Sequence, residues 1–253
     1  MVNQHNKHKK DEICVIKIGS SCLFDNQGNI NSYLLKQKGE EIEYLSNKAI
    51  VVVSGAIALG KKRRHETKSN DELSDVELES FASIGQPELM NIYSKAFSSP
   101  VAQLILTNND LVHRNHIRDL VHHNLNGGII TLVNYNDCID FNQLRKDNDT
   151  LAAQMLSYCD ANKLIILGTY DGFFDKKGEL IEEINCIDDK SYSLCNGKSK
   201  LGTGGFSTKL DAAKIVLKED KEMIIGNIKY SIEDLINGNK RRTIFRPEYK
   251  PAA

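Results

Sequence analysis

The feature that most constrains this chain is a repeated alternation of two kinds of apolar segment. Short uninterrupted runs rich in Val and Ile lie at 13–18 (ICVIKI), 49–53 (AIVVV), 101–106 (VAQLIL), 129–133 (IITLV), 164–167 (LIIL) and 223–225 (MII). Continuous apolarity of this kind marks strands covered on both faces, as in a parallel sheet. Between the runs, amphipathic patterns at 32–45, 57–64, 78–97, 117–124, 150–160 and 209–217 have helical spacing. Strand followed by helix over nearly the whole length predicts an α/β layered fold with right-handed crossovers. Residues 170–208 lack strong periodicity. The turn signals Asp171-Gly172, Lys177-Gly178 and Asn196-Gly197 predict a hairpin or excursion at one sheet edge, ending in a glycine-rich loop.

Composition narrows the class. With 253 residues and 40% apolar content, the chain can bury a sizeable core. One domain over 13–246 is expected, with an irregular extension at 1–12 and an irregular tail at 247–253. A net charge of −1 argues against a general nucleic-acid binder. No apolar run approaches the ~18–20 residues of a membrane span, and the polar start does not read as a signal peptide. The six cysteines show no CxxC spacing and read as free thiols in a reducing compartment. A cytoplasmic protein is expected.

In open α/β sheets, ligands bind at the carboxyl ends of the strands. Those ends carry Lys17-Ile18-Gly19-Ser20-Ser21, Ser54-Gly55-Ala56, Asn134-Tyr135-Asn136-Asp137 and Gly168-Thr169. Two further segments precede helices: Lys146-Asp147-Asn148-Asp149, and Gly202 to Lys209 (GTGGFSTK). Glycines let backbone N–H groups approach an anion, and helix N-termini favour negative charge. Lys17 and Lys209 supply point charges for phosphate oxygens, and Asp137, Asp147 and Asp149 supply carboxylates to hold lysines or magnesium. Phosphoryl transfer needs this inventory, since it runs on positioning and charge neutralisation. A single such loop is ordinarily only a turn, and the DND triplet only a cap; the argument rests on six of them at the strand ends and helix starts of one sheet. No GxxxxGK[ST] is present, and the late glycine segment is a poor dinucleotide fingerprint. His113, His116, His122 and His123 match no zinc spacing, and no metal-ligating set is expected. The basic run Lys61 to His65 reads as a solvated helix end.

Taken in order, VIKIGSSCL (15–23), VVVSGAIALG (51–60), IGQPELMNIY (84–93), AQLILTNNDL (102–111) with NYND (134–137), KDNDTLAA (146–153) and GTGGFSTKLDAA (202–213) resemble the signatures of the amino acid kinase family. The resemblance is nearest to the branch acting on L-glutamate. It implies a three-layer sandwich around a mainly parallel sheet. It also implies ATP- and Mg2+-dependent phosphorylation of the γ-carboxylate of L-glutamate, the first step of proline biosynthesis. By position, it assigns Lys17, Lys209 and Asp149 to catalysis. Ser54, Gly55, Ala56, Asn136, Asp137 and Asn148 would bind the amino acid. Lys17, Gly19, Ser20, Gly168, Thr169, Thr203, Gly204, Gly205, Phe206, Ser207, Thr208 and Lys209 would line the nucleotide site. A homo-oligomer, a partner reductase that consumes the acyl phosphate, and proline feedback at the surface around 78–97 are further implications. The RNA-binding-like module that many members carry is not expected.

Four positions depart from the family pattern. Tyr135 stands where a Glu is usual, Lys146 where a Gly is usual, Gly168-Thr169 where Thr-Asp is usual, and Phe206 where a Met is usual. Tyr135 and Lys146 motivate a second reading, a kinase for another carboxylate such as a modified glutamate. Gly168-Thr169 motivates a third, a non-catalytic amino-acid or nucleotide sensor.

Overall fold

Each of the six apolar runs forms a strand in a computed structural model, which describes residues 12–45, 48–113, 116–139, 147–193 and 206–248. In chain order they are β1 (Cys14–Ile18), β2 (Ala49–Val53), β3 (Val101–Leu106), β4 (Ile130–Tyr135), β5 (Lys163–Gly168) and β9 (Glu222–Asn227). Three two-residue strands lie between β5 and β9: β6 (Phe173–Phe174), β7 (Leu180–Ile181) and β8 (Glu183–Ile184). The last strand is β10 (Arg242–Phe245). The main sheet has the order β3-β4-β2-β1-β5-β9-β10-β8. From β3 to β9 every pairing is parallel. β10 runs antiparallel to β9, and β8 pairs parallel to β10. β6 and β7 form the separate hairpin expected within 170–208.

Parallel pairing forces each chain return across a face of the sheet, and the helices fill both faces. On one side lie α5 (His116–Asn126), α6 (Asn148–Tyr158) and α8 (Phe206–Lys218), packed on Val15, Val52, Val133 and Ile166. On the other lie α1 (Ser32–Leu45), α2 (Ala56–Arg63), α3 (Asp75–Ser94) and α9 (Ile232–Asn237), packed on Ile16, Val51, Leu132 and Ile165. Alternate residues of one strand thus feed two apolar layers, which explains why these strands read as continuous apolar runs. The result is the expected three-layer sandwich.

Helix α3 begins three residues before the expected 78, because Ser74 caps it and forms a reciprocal capping box with Glu77. It continues through Pro87. Its contact with α2 is backbone against backbone. A Cβ on Gly60 would lie 1.9 Å from the Phe81 carbonyl oxygen, and one on Gly85 would lie 1.9 Å from that of Ala56. The short helices α4 (Asn108–His113) and α7 (Asp189–Ser193), with α9 and β10, were not expected. β10 exists through its pairing with β9, a tertiary contact that four residues (RTIF) do not advertise. Residues 246–248 are irregular, while the expected extension before Glu12 and the tail after Glu248 lie outside the described residues. Among the described residues, the five cysteines at 14, 22, 138, 159 and 186 are free thiols. Among the same residues, no helix is long and apolar enough to cross a membrane.

Candidate active site

Lys17 is the last residue but one of β1 and shares its face with Val15, toward α6 and α8. Asp147 caps α6 by accepting a hydrogen bond from the Asp149 amide, 3.0 Å away. That cap turns Asp149 inward, where it is fully buried. Lys17 Nζ lies 2.6 Å from Asp149 Oδ1, and Lys209 Nζ lies 2.9 Å from Asp149 Oδ2. Lys209 stands in the first turn of α8 and is also buried. Next to it, Thr208 Oγ1 donates to Asp147 Oδ2 at 2.8 Å, and Asp147 Oδ1 lies 3.7 Å from Lys17 Nζ. The N-termini of α6 and α8 therefore meet at the carboxyl end of β1, with both helix dipoles presenting their positive ends.

Asp149 and Lys17 stay ionised despite their burial. Burial pushes the Asp149 carboxyl up, but Lys17 and Lys209 more than offset it and leave the group at about 2. Burial likewise works against the Lys17 ammonium, yet Asp149 and then Asp147 hold it above its ordinary value. A single carboxylate thus fixes two ammonium groups side by side, an arrangement suited to gripping the oxygens of a transferring phosphoryl group.

A second group forms beside the first. Asn148 Nδ2 donates to Ser54 Oγ at 2.9 Å, joining α6 to the end of β2. Asn148 Oδ1 is buried and has no hydrogen-bond partner among the described residues. A buried acceptor of this kind fits an N–H or ammonium donor from a ligand. Gly55 has φ +124°, and a Cβ there would strike Leu23 Cδ1 at 2.0 Å, so only glycine allows this turn into Ala56 and α2. Asn136 and Asp137 leave β4 at the same end of the sheet, where the Asn136 amide donates to the Leu106 carbonyl at 2.9 Å. No hydrogen bond or ion pair joins either side chain to the lysine cluster among the described residues. Burial pushes the Asp137 carboxyl up to about 7.

At the residues expected to line a nucleotide, the Gly19 amide donates to the Leu167 carbonyl at 3.1 Å, and Ser20 opens a 3-10 turn. Gly168 ends β5, Thr169 follows it exposed, and Phe206, Ser207 and Thr208 open α8. Thr203, Gly204 and Gly205, with Lys146 and Gly202, lie outside the described residues. Among the described residues, no three His, Cys, Asp or Glu side chains gather to hold a metal ion.

Three features escaped the sequence reading. Tyr170 folds over the end of β5 and packs against Phe206 with the rings tilted by 59°. Gln86 of α3 accepts from Asn134 Nδ2 at 2.7 Å in a buried pair between α3 and β4. Tyr135 is buried in the sheet face under α6, and its hydroxyl donates to Gln154 Oε1 at 3.1 Å. The signal available for Tyr170 was its place just past a strand end; Tyr135 stood out only as a departure from the family pattern, and Gln86 gave no signal, because its partner Asn134 lies far along the chain.

An α/β sandwich with two buried lysines on one carboxylate, set where two helices begin, defines a protein built to handle phosphate-like anions. Comparisons with known proteins are more specific. Residues 12–227 match the Amino acid kinase family. The glutamate 5-kinase of Enterococcus faecalis is 34% identical over 263 residues, covering 95% of this chain and 96% of that protein. The glutamate 5-kinase of Caldanaerobacter subterraneus subsp. tengcongensis is 34% identical over 258 residues, covering 94% of this chain and 68% of that protein. Among solved structures, carbamate kinase from Giardia lamblia bound to AMP-PNP superposes with TM-score 0.66 at 12% identity, over 94% of this chain and 99% of that one. UMP kinase from Ureaplasma parvum superposes with TM-score 0.56 at 17% identity, over 93% of this chain and 98% of that one. The chain belongs to the amino acid kinase family, in its glutamate 5-kinase branch.

Proposed function

We propose that the protein transfers the γ-phosphoryl group of ATP to the γ-carboxylate of L-glutamate, giving γ-glutamyl phosphate and ADP. The observation that carries this reading is the buried Lys17–Asp149–Lys209 bridge at the strand ends. In the step, a carboxylate oxygen of glutamate bonds to the γ-phosphorus as the bond from phosphorus to the ADP oxygen breaks. No general base is required, because the attacking carboxylate is already ionised at neutral pH. Lys17 and Lys209 neutralise the charge on the transferring oxygens, and Asp149 keeps the two ammonium groups at fixed separation.

The amino acid is held by Ser54, Gly55, Ala56, Asn136, Asp137 and Asn148. Asp137, once ionised, pairs with the substrate ammonium, and the unpartnered Asn148 Oδ1 accepts from the same group. Gly19, Ser20, Gly168, Thr169 and 206–209 line the nucleotide. Both Asp149 oxygens are taken by lysines, and Asp147 is taken by a cap and by Thr208. A magnesium ion therefore fits here as a passenger on the nucleotide phosphates, its usual mode, rather than in a protein cage. Bound there, it would supply positive charge that screens the phosphates.

The burial of Tyr135 and its bond to Gln154 give that residue a packing role, so its departure from the family pattern does not by itself call for another acceptor. The acyl phosphate product is reactive, so a reductase that consumes it in proline biosynthesis is the natural partner. A cytoplasmic homo-oligomer, with proline feedback at the surface around 78–97, completes the reading. The test is an acyl-phosphate trap with purified protein, Mg-ATP, L-glutamate and hydroxylamine. Glutamate-dependent hydroxamate is expected. Hydroxamate formed only with other carboxylates would change the acceptor, and none with any acceptor would overturn the kinase reading.

A further inference from the structure

Tyr170 lies beside the lysine–aspartate bridge, its ring centroid 5.4 Å from Lys209 Nζ, and has no role assigned so far. A Cβ placed on Gly168 would come 2.5 Å from Tyr170 Cζ and 2.7 Å from its hydroxyl oxygen. The ring is therefore folded back against the backbone of residue 168, in the space a larger residue there would fill. Phe206 packs on the ring with centroids 5.3 Å apart, and Lys209 Nζ lies 5.4 Å from its centroid. Phe206 in turn sits edge-on to Phe173 of β6, with centroids 4.8 Å apart. The end of β5, the start of α8 and the β6 hairpin thus hold the ring in one place. The phenol lies near enough to Asp149, Lys17 and Asp147 for their charges to act on it. Burial foremost, then Asp149, raises it well above its ordinary value, so it stays a neutral donor across the physiological range.

We propose that Tyr170 is a phosphate-contacting residue whose hydroxyl donates a hydrogen bond to the anion gripped by Lys17 and Lys209, and that Gly168 is the residue that makes room for it. The proposal rests on the kinase reading in taking that anion to be the nucleotide's terminal phosphates. It changes no bond in the reaction; it adds one donor to a site that already has two cations. It also couples positions 168 and 170, because a side chain at 168 displaces the ring.

The test compares the full chain with Tyr170→Phe, Gly168→Thr and the double variant Gly168→Thr/Tyr170→Ala. Three quantities are read: kcat by ADP release, KM for L-glutamate, and the Kd of AMP-PNP by titration calorimetry. Tyr170→Phe keeps the ring and removes only the hydroxyl. It should lower kcat or weaken AMP-PNP binding roughly tenfold or more, the usual loss for one hydrogen bond to a charged group. KM for glutamate and the melting temperature should not change, a split that a merely structural role would not produce. Gly168→Thr alone should impair AMP-PNP binding, and the double variant should regain part of it. A Tyr170→Phe protein that matches or exceeds the original in both kcat and AMP-PNP affinity overturns the proposal. So does a Gly168→Thr protein with unchanged AMP-PNP binding, since that would separate the two positions. If the unaltered protein phosphorylates no carboxylate, the kinase reading fails, and the AMP-PNP comparison still decides the role of Tyr170.

Discussion

Lys17 Nζ lies 2.6 Å from Asp149 Oδ1, an ion pair that joins the carboxyl end of the central strand to the first turn of helix α6 with both groups almost wholly out of water. Lys209 holds the other oxygen of the same carboxylate. The two lysines belong to different elements, so this one carboxylate sets the distance between them.

Asp149→Asn should therefore cost the fold as well as the reaction. It leaves two buried ammonium groups without their shared counter-charge, for which about 3–5 kcal/mol is typical. At roughly 2–4 °C per kcal/mol for a chain of this size, the melting temperature should fall by about 10 °C in scanning calorimetry. The acid limb follows from the same group. Its carboxyl lies at about 2 in the fold against 3.8 unpaired. The stability it contributes is complete above about 3.8 and is lost as pH drops toward 2. An Asp149→Asn protein should lack that segment of the pH–stability curve.

Lys17→Ala and Lys209→Ala should each lower kcat by about 10²-fold or more, the scale of removing one donor from a charge-stabilising site. Turnover measured at saturating Mg-ATP and glutamate checks this. Near-normal turnover in either variant would remove that lysine from the chemistry.

Asp137 should impose a pH dependence on acceptor capture. Burial raises its carboxyl to about 7, and only the ionised form attracts an ammonium group. kcat/KM for L-glutamate should therefore rise as pH increases through about 7, while kcat/KM for Mg-ATP should not follow it. Asp137→Asn should flatten the glutamate profile at a low value. A profile unchanged by the substitution would mean that another group binds the ammonium.

Gly85→Ala should separate α2 from α3, because the new methyl would meet the Ala56 carbonyl oxygen at 1.9 Å and backbone cannot yield cheaply. The expected loss is at the upper end of the roughly 1–3 kcal/mol typical of overpacking. Since Ala56 is proposed to lie against the amino acid, KM for glutamate should rise with it. Denaturant unfolding and kinetics on one preparation measure both.

Tyr135→Phe should cost about 1 kcal/mol through the lost hydroxyl contacts with Gln154 and Asn108, with acceptor preference unchanged. A panel of carboxylates in the hydroxamate assay checks the second half. A switch of acceptor would place the hydroxyl against substrate instead.

Much of this was legible in the residues. The six sheet-forming runs announced themselves because a strand buried on both faces has no polar alternation to obscure it. That Lys17, Asp149 and Lys209 meet, and that Ser54 and Asn148 meet beside them, could be anticipated because each sits beside a strand end or helix start, and parallel topology sends those ends one way. β8 and β10 could not. A two-residue or four-residue strand has too little pattern to be seen and forms only because a neighbour supplies its hydrogen bonds. Tyr135 looked like a departure near the substrate, yet its side chain turns under α6 toward Gln154.

The sequence by itself determined the layered α/β architecture and the residues that the strand ends and helix starts carry at one end of the sheet. Those follow from hydrophobic periodicity and from the kinds of group that phosphoryl transfer requires, both local in the chain. Only the tertiary structure decided that Asp149 divides its two oxygens between two lysines, that Asn148 reaches Ser54, and that Tyr170 occupies the room left by Gly168. Each of those facts is a distance between elements remote in sequence, set by helix packing and side-chain rotamers, and a one-dimensional pattern carries no term for it.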